Sequence, residues 1–176
     1  MKIIGFAGSN SKNSINFKLV HYTAGLLDTH EVELLDLNDY EVSIYSIDRE
    51  KEQGFPNKIK DFVSKIKSAD ALVISLAEHN GAYSATFKNI IDWSSRYNIE
   101  FFDEKPMLLM GTSPGGYGAK NVIGLAESRF PKFKANIKAV FSLPKFNDNF
   151  EEGEGVTDEK LKKEHQEALR KFIDSE

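Results

Sequence analysis

Cysteine is absent from the 176 residues. That absence removes disulfides, thiolate nucleophiles, iron–sulfur ligands and cysteine-based zinc sites together, and with them any cysteine-dependent phosphatase chemistry. Long apolar runs are absent as well. None approaches the roughly 20 residues of a membrane span. The opening stretch Met1-Lys2-Ile3-Ile4-Gly5-Phe6-Ala7-Gly8 turns glycine-rich and polar too soon to supply the apolar segment of a signal peptide. The sequence is therefore read as cytoplasmic, with no membrane partner.

A strong charge of either sign is also missing. The net charge is −4, from 23 basic and 27 acidic residues, and the imbalance is local. Residues 144–176 hold 6 basic and 10 acidic side chains, which leaves the first 143 residues with 17 of each. No basic face is implied, so nucleic acid is excluded as a partner. The acidic excess around Glu151-Glu152-Gly153-Glu154 reads as a solvated loop that aids solubility. No linker, internal repeat, catalytic triad or metal-ligand cluster stands out.

What is present is ordinary globular composition, 40% hydrophobic and 28% charged, in a chain of a length suited to one domain over residues 1–176. Short apolar runs recur: Lys2 to Ala7, Glu31 to Leu37, Ala69 to Ala77, Pro106 to Gly111 and Ile137 to Leu143. Each fits a strand buried on both faces of a parallel sheet. Helix-like segments lie between and after them: Ser14 to Leu27, Pro56 to Ser68, Ser84 to Tyr97, Gly118 to Phe130 and Thr157 to Ile173, the last with Thr157 as its expected cap. Five βα units predict an α/β fold, a three-layer doubly wound parallel five-stranded sheet of the flavodoxin-like order 2-1-3-4-5. Asn38 to Phe55 is the one long irregular stretch. A loop of that length is usually functional or conceals an element.

In that topology the loops after strands 1, 3 and 4 surround one crevice at the carboxyl edge of the sheet, where ligands bind. Loop 1, Gly8-Ser9-Asn10-Ser11-Lys12-Asn13-Ser14-Ile15-Asn16, sets three hydroxyls and three amides before a helix N-terminus. Free N–H groups, the helix dipole and hydroxyl donors suit a phosphate monoester; Ser14 as a plain N-cap in a surface turn is the competing reading. No Gly-Lys-Ser/Thr follows, so it is not a P-loop, and the glycines of a dinucleotide fingerprint are missing. An acidic pair after strand 1, which a response-regulator receiver needs, is missing too.

Loop 3, Ala77-Glu78-His79-Asn80-Gly81-Ala82-Tyr83-Ser84, places an imidazole and an Asn-Gly turn at the end of an apolar strand. His79 admits a general-base role; with no acid partner nearby in sequence, a packing or hydrogen-bonding role is the favoured reading. Loop 4, Gly111-Thr112-Ser113-Pro114-Gly115-Gly116-Tyr117-Gly118, has four glycines in eight positions. A tight turn needs one or two, and the surplus lets backbone approach a ligand. The three loops together imply a ligand with a phosphate at one end and a planar hydrogen-bonding body at the other, a description that fits FMN better than ATP.

At these residues the sequence resembles the NADPH-dependent FMN reductase family, flavodoxin-like proteins that include quinone, azo-dye and chromate reductases. Gly8-Ser9 through Ser14-x-Asn16 is similar to the family's phosphate loop. Glu78-x-Asn80-Gly81 followed by Lys88-Asn89-x-x-Asp92-Trp93 is similar to its second loop and helix, and Ser113-x-Gly115-Gly116 to its glycine-rich third loop. Three positions depart: the family's phosphate-loop arginine is Ser11, with Lys12 beside it; the loop-3 proline is Ala77; and the flavin-facing tyrosine is His79.

The resemblance implies that Ser9, Asn10, Ser11, Ser14, Ile15 and Asn16 hold the FMN phosphate. It implies that Glu78, His79, Asn80 and Gly81 line the isoalloxazine, and that Ser113, Gly115 and Gly116 give backbone contacts. It also implies a homodimer or homotetramer with the helix carrying Lys88 to Trp93 near the subunit contact, although Trp93 by itself reads as a core residue. The activity implied is hydride transfer from NADPH or NADH through FMN to a small-molecule acceptor: a quinone, azo compound, free flavin or similar. The protein then needs no catalytic acid, base or nucleophile of its own. The alternative is a flavodoxin-type FMN electron carrier without turnover of its own, against which stand the absence of a Thr-rich phosphate loop and of strong acidity.

Overall fold

Three strands lie at the centre of the molecule because their residues are apolar in both directions: β1 (Lys2–Gly8), β3 (Ala71–Leu76) and β6 (Pro106–Thr112). Every residue of β3 is buried. The computed structural model describes residues 1–174, and the last two residues of the expected domain lie outside the described ones. β2 (Glu31–Leu35) pairs parallel to β1, and β7 (Asn136–Leu143) parallel to β6, completing a five-stranded sheet of order β2-β1-β3-β6-β7. Two minor strands, β4 (Glu78–His79) and β5 (Ala82–Tyr83), intervene in the numbering and form a separate hairpin. Setting them aside, the order is the expected 2-1-3-4-5.

Alternation along the strands divides the core. Leu72, Ile74 and Leu76 of β3 join Ile4 and Phe6 of β1 under α3 (Asn57–Ser68), α4 (Ala85–Tyr97) and α5 (Lys120–Arg129). Ala71 and Val73 face the other way, with Ile3, Leu108 and Met110, toward α1 (Ile15–Gly25) and α7 (Glu159–Ile173). The result is three layers with helices on both faces, as a sheet apolar on both sides requires. No helix among the described residues is long and apolar enough to cross a membrane.

Several details differ from expectation. The stretch 38–55 is not structureless: it contains the end of a 3-10 turn at Leu37–Tyr40 and α2 (Ile47–Gln53). It is bound to α4, where Trp93 Nε1 donates to the Ser43 carbonyl at 2.8 Å, Asn89 Nδ2 donates to the Val42 carbonyl at 3.1 Å, and the Tyr45 N–H donates to Asn89 Oδ1 at 2.8 Å. Trp93 itself is buried, as its residue type suggested. The cap of α7 is Asp158, whose carboxylate accepts from the N–H groups of Lys160 and Leu161, and not Thr157. A carboxylate one residue closer to the first turn meets the positive helix end better than a hydroxyl. The acidic stretch 151–154 ends one strand and forms the turn of a second hairpin, β8 (Phe150–Glu151) with β9 (Gly155–Val156).

Candidate functional site

The carboxyl ends of β1, β3 and β6 converge, and the loops that follow them are joined by buried hydrogen bonds. Asn16, in the first turn of α1, is 2% exposed. Its Nδ2 donates to the Thr112 carbonyl at 3.1 Å, while its Oδ1 accepts from the Thr112 N–H at 3.0 Å and from Ser75 Oγ at 2.7 Å. One amide thereby locks loop 1 to the ends of β3 and β6. Ser84 joins loop 3 to loop 1: its hydroxyl donates to the Gly8 carbonyl at 2.9 Å and caps α4 by accepting from the Phe87 N–H at 3.2 Å.

Between these loops lies a crevice of about 210 Å³. Ser9, Ser11, Ser14, Ile15 and Asn16 line it from loop 1, Glu78 and His79 from loop 3, and Ser113 from loop 4. Asn13, Ala77, Thr112 and Pro114 complete the lining. Asn10, Asn80, Gly81, Gly115 and Gly116 belong to the same three loops but do not line this crevice. A larger groove, about 1040 Å³, runs along the open edge strand β7 between α5 and α7; it does not include the residues of the three loops that converge here.

The donor set of the crevice suits an anion. Ser9 Oγ accepts from the Ser11 N–H at 3.2 Å, Ser11 Oγ from the Asn13 N–H at 3.3 Å, and Ser14 Oγ from the Phe17 N–H at 3.2 Å. Each hydroxyl therefore spends a lone pair on backbone and keeps its proton to donate. The N–H groups of Ile15 and Asn16 open α1 and have no intrahelical acceptor. Ser14 is thus both an N-cap and a crevice residue, so the two readings of loop 1 are compatible. The one acid lining the crevice, Glu78, is turned to other partners: Oε2 accepts from the Val122 N–H at 3.0 Å and Oε1 from Asn121 Nδ2 at 3.1 Å.

Loop 3 forms the β4–β5 hairpin, with Glu78 opposite Tyr83 and His79 opposite Ala82. Asn80 and Gly81 have φ of 52° and 76°. Positive φ at both turn residues is what a two-residue turn between twisted strands requires, and Asn-Gly supplies it at least cost. His79 is exposed and its ring has no hydrogen-bond partner among the described residues, so it is not the packing or hydrogen-bonded group its residue type suggested. Tyr83 stacks on Phe130, its hydroxyl is buried without a partner, and burial pushes its pKa up to about 12. That phenol keeps its proton at neutral pH.

Loop 4 separates its glycines by cause. Gly118 has φ of 61°, and a Cβ there would lie 2.5 Å from Ser142 Oγ; a Cβ at Gly111 would press on Ile123 and Ala119. Packing therefore accounts for both. Gly115 and Gly116 have neither a positive φ nor any neighbour nearer than 4.0 Å to such a Cβ. The protein gives no internal reason for glycine at these two positions, which leaves open backbone beside the crevice. Their loop is held from behind by the start of the short helix α6 (Phe146–Asn149) after β7: the Lys145 N–H donates to the Gly115 carbonyl at 2.9 Å and the Phe146 N–H to the Ser113 carbonyl at 3.1 Å.

A doubly wound sheet whose first loop is rich in hydrogen-bond donors, with an open glycine-rich loop next to the switch point, has the architecture of the nucleotide- and flavin-binding α/β proteins. The particular family follows from comparison. The family profile of the NADPH-dependent FMN reductases matches residues 1–148, and the chain belongs to that family. A Mycoplasma pneumoniae protein, the uncharacterised MG342 homolog, is 34% identical over 155 residues, covering 85% of this chain and 91% of that protein. The NAD(P)H-dependent FMN reductase PA1204 of Pseudomonas aeruginosa is 31% identical over 122 residues, covering 67% of this chain and 63% of its own length. Among solved structures, the flavoenzyme NAD(P)H:(acceptor) oxidoreductase FerB of Paracoccus denitrificans superposes with a TM-score of 0.77 at 27% identity, over 98% of this chain and 95% of that one.

Sequence reasoning named Asn16 and Glu78 but missed the partners through which they hold the site together. Thr112 and Ser84 stand in the quoted loops without a role assigned to them, and Asn121 and Lys145 lie in no motif; only Ser75, a polar residue inside an apolar strand, carried a usable signal.

Proposed function

We propose that the chain is one domain that binds FMN and passes a hydride from NADPH or NADH to a small-molecule acceptor such as a quinone, an azo compound or free flavin. FMN, when bound, supplies the hydride chemistry, so the protein needs no nucleophile or metal. The observation that carries this reading is the crevice of unused hydroxyl and N–H donors, in whose fourth-strand loop Gly115 and Gly116 leave backbone bare for no reason within the protein.

In this reading Ser9, Asn10, Ser11, Ser14 and the N–H groups of Ile15 and Asn16 hold the phosphate, with Lys12 as the neighbouring cation where the family has an arginine at Ser11. Lysine offers a point charge without the bidentate fork. Asn16 acts through its backbone, its side chain being committed to Thr112 and Ser75. The crevice matches the phosphate and ribityl end. His79, Asn80 and Gly81, with Glu78 behind them, and the backbone of Ser113, Gly115 and Gly116 flank the ring. Holding donor and acceptor in turn against one face is the protein's part in rate enhancement.

The protein acts in the cytoplasm as a homodimer or homotetramer, with α4 and the 38–55 stretch bound to it at the contact. Ile44, 76% exposed, and the exposed Ile47 and Tyr97 support that face. Absorbance spectra of purified protein titrated with FMN, then with NADPH without oxygen, test the reading; no uptake of FMN at micromolar concentration rejects it. Steady NAD(P)H oxidation with a quinone separates the enzyme from a carrier, which turns over only with a partner reductase.

A further inference from the structure

Helix α5 begins without a cap of its own. The residue at its N-cap position, Ala119, has φ of 61° and no side chain able to accept a hydrogen bond. The missing acceptor comes from another loop: Glu78, first residue of β4, places Oε2 3.0 Å from the N–H of Val122 in the first turn. Its other oxygen, Oε1, takes the amide of Asn121 at 3.1 Å. Asn121 Nδ2 also lies 3.9 Å from where a Cβ on Gly81 would stand, at the turn of the same hairpin. A carboxylate suits this place because it faces two donors and a helix N-terminus; an amide satisfies only one of the two.

Resting on the flavin reading above, we propose that Asn121 and Glu78 form a latch that fixes the β4–β5 hairpin, and so His79, Asn80 and Gly81, against the start of α5. Both are positioning residues for the flavin ring: the Glu78 carboxylate is spent on α5 and acts on the ligand through the hairpin. This gives Asn121, which lies in none of the motifs, a part in cofactor binding, and gives Glu78 a part other than ring contact.

The test uses the full chain and four variants, Glu78→Ala, Glu78→Gln, Asn121→Asp and the double variant E78Q/N121D, read by FMN titration and by hydrogen exchange of the amides of Val122 and residues 79–82 in the FMN-free protein. Glu78→Ala is expected to weaken FMN about tenfold, the scale of a lost hydrogen bond to a charged group, and to speed exchange at Val122 and the hairpin. Glu78→Gln, which keeps one acceptor, loses less, about threefold. Asn121→Asp sets two carboxylates face to face and loses at least as much as Glu78→Ala. The double variant restores donor to acceptor, since the new glutamine accepts from Val122 N–H and donates to the new aspartate, and it recovers to within about threefold of the wild type.

A double variant no better than Asn121→Asp alone overturns the latch, as does Glu78→Gln falling as far as Glu78→Ala. If Glu78→Ala does not fold, the remaining variants decide. If the wild type takes up no FMN, the flavin reading fails by itself, and the exchange arm still judges the latch: unaltered protection at Val122 and residues 79–82 in the Glu78 variants rejects it.

Discussion

Asn16 and Thr112, 96 residues apart in sequence, pair side-chain amide to backbone peptide through two reciprocal hydrogen bonds of 3.1 and 3.0 Å. An asparagine amide sets an N–H and a C=O side by side, matching the C=O and N–H that a single extended residue presents, so this pair reproduces within the site the pairing that antiparallel strands use between themselves. With Ser75 Oγ as a third partner at 2.7 Å, every strong hydrogen bond of the Asn16 side chain but one N–H is used inside the protein. Loop 1 is thus set in place before any ligand arrives.

Asn16→Ala is expected to destabilise the fold by about 2 to 4 kcal/mol, because it strands the N–H and carbonyl of Thr112 and the hydroxyl of Ser75 in a buried site. For a domain of this size that corresponds to a drop in Tm of roughly 10 °C. Asn16→Asp keeps the size but sets a carboxylate oxygen against the Thr112 carbonyl, and thermal unfolding is expected to show a loss as large. A shift under about 2 °C in both variants contradicts the locking role.

The glycines of loop 4 are expected to separate by readout. Gly118→Ala forces a Cβ to within 2.5 Å of Ser142 Oγ and 2.8 Å of Pro144 N at a φ of 61°, costing about 1 to 3 kcal/mol of stability. Gly115→Val and Gly116→Val meet open space and leave the denaturant midpoint nearly unchanged, while FMN affinity falls about tenfold or more through lost backbone approach. Equal FMN binding by all three variants removes the ligand-facing role of Gly115 and Gly116.

The strap at 41–50 is tied to α4 by Trp93 and Asn89 and closed by an ion pair, Arg96 Nε to Glu50 Oε2 at 2.9 Å, with Tyr45 Oη donating to the same oxygen at 2.8 Å. No residue of this segment lines the crevice. Limited proteolysis within 41–50 is therefore expected to be slow and the same with and without FMN. Asn89→Ala frees the carbonyls of Val42 and Ser43 from its amide and the N–H of Tyr45, and is expected to speed cleavage severalfold with or without the cofactor. Protection that appears only with FMN identifies the strap as a lid.

How far the sequence reached follows from the physics of each element. β1, β3 and β6 announce themselves because a strand buried on both faces must be apolar throughout, and the loops after them could be placed from topology alone. α2 left no trace: it is seven residues long and buries none of them, so it has no amphipathic period to read. The β4 and β5 strands, two residues each, are too short for alternation, although the Asn-Gly turn between them was visible. The inward aim of the Asn16 amide and the reach of Glu78 to α5 depend on distant partners. Local sequence carries no record of either.

His165 sets the expected dependence of stability on pH. It is buried in α7 between the rings of Tyr22 and Phe141. Thr23 Oγ1 donates to the Leu19 carbonyl at 2.8 Å, so its contact with His165 Nε2 at 2.9 Å has the imidazole as donor; Nδ1 is then unprotonated, buried and without a partner. Burial holds the pKa down, from 6.5 to about 4. The folded state therefore refuses a proton that the unfolded chain accepts, and stability is complete above pH 6.5 and declines as pH falls from 6.5 toward 4, by about 3 kcal/mol in all. Urea unfolding at pH 7.5, 5.5 and 4.5 measures this slope. In His165→Phe, which keeps an aromatic ring against Tyr22 and Phe141 but has nothing to titrate, the loss between pH 7.5 and 5.5 is expected to vanish; a slope there equal to that of the wild type assigns the acid sensitivity to other groups.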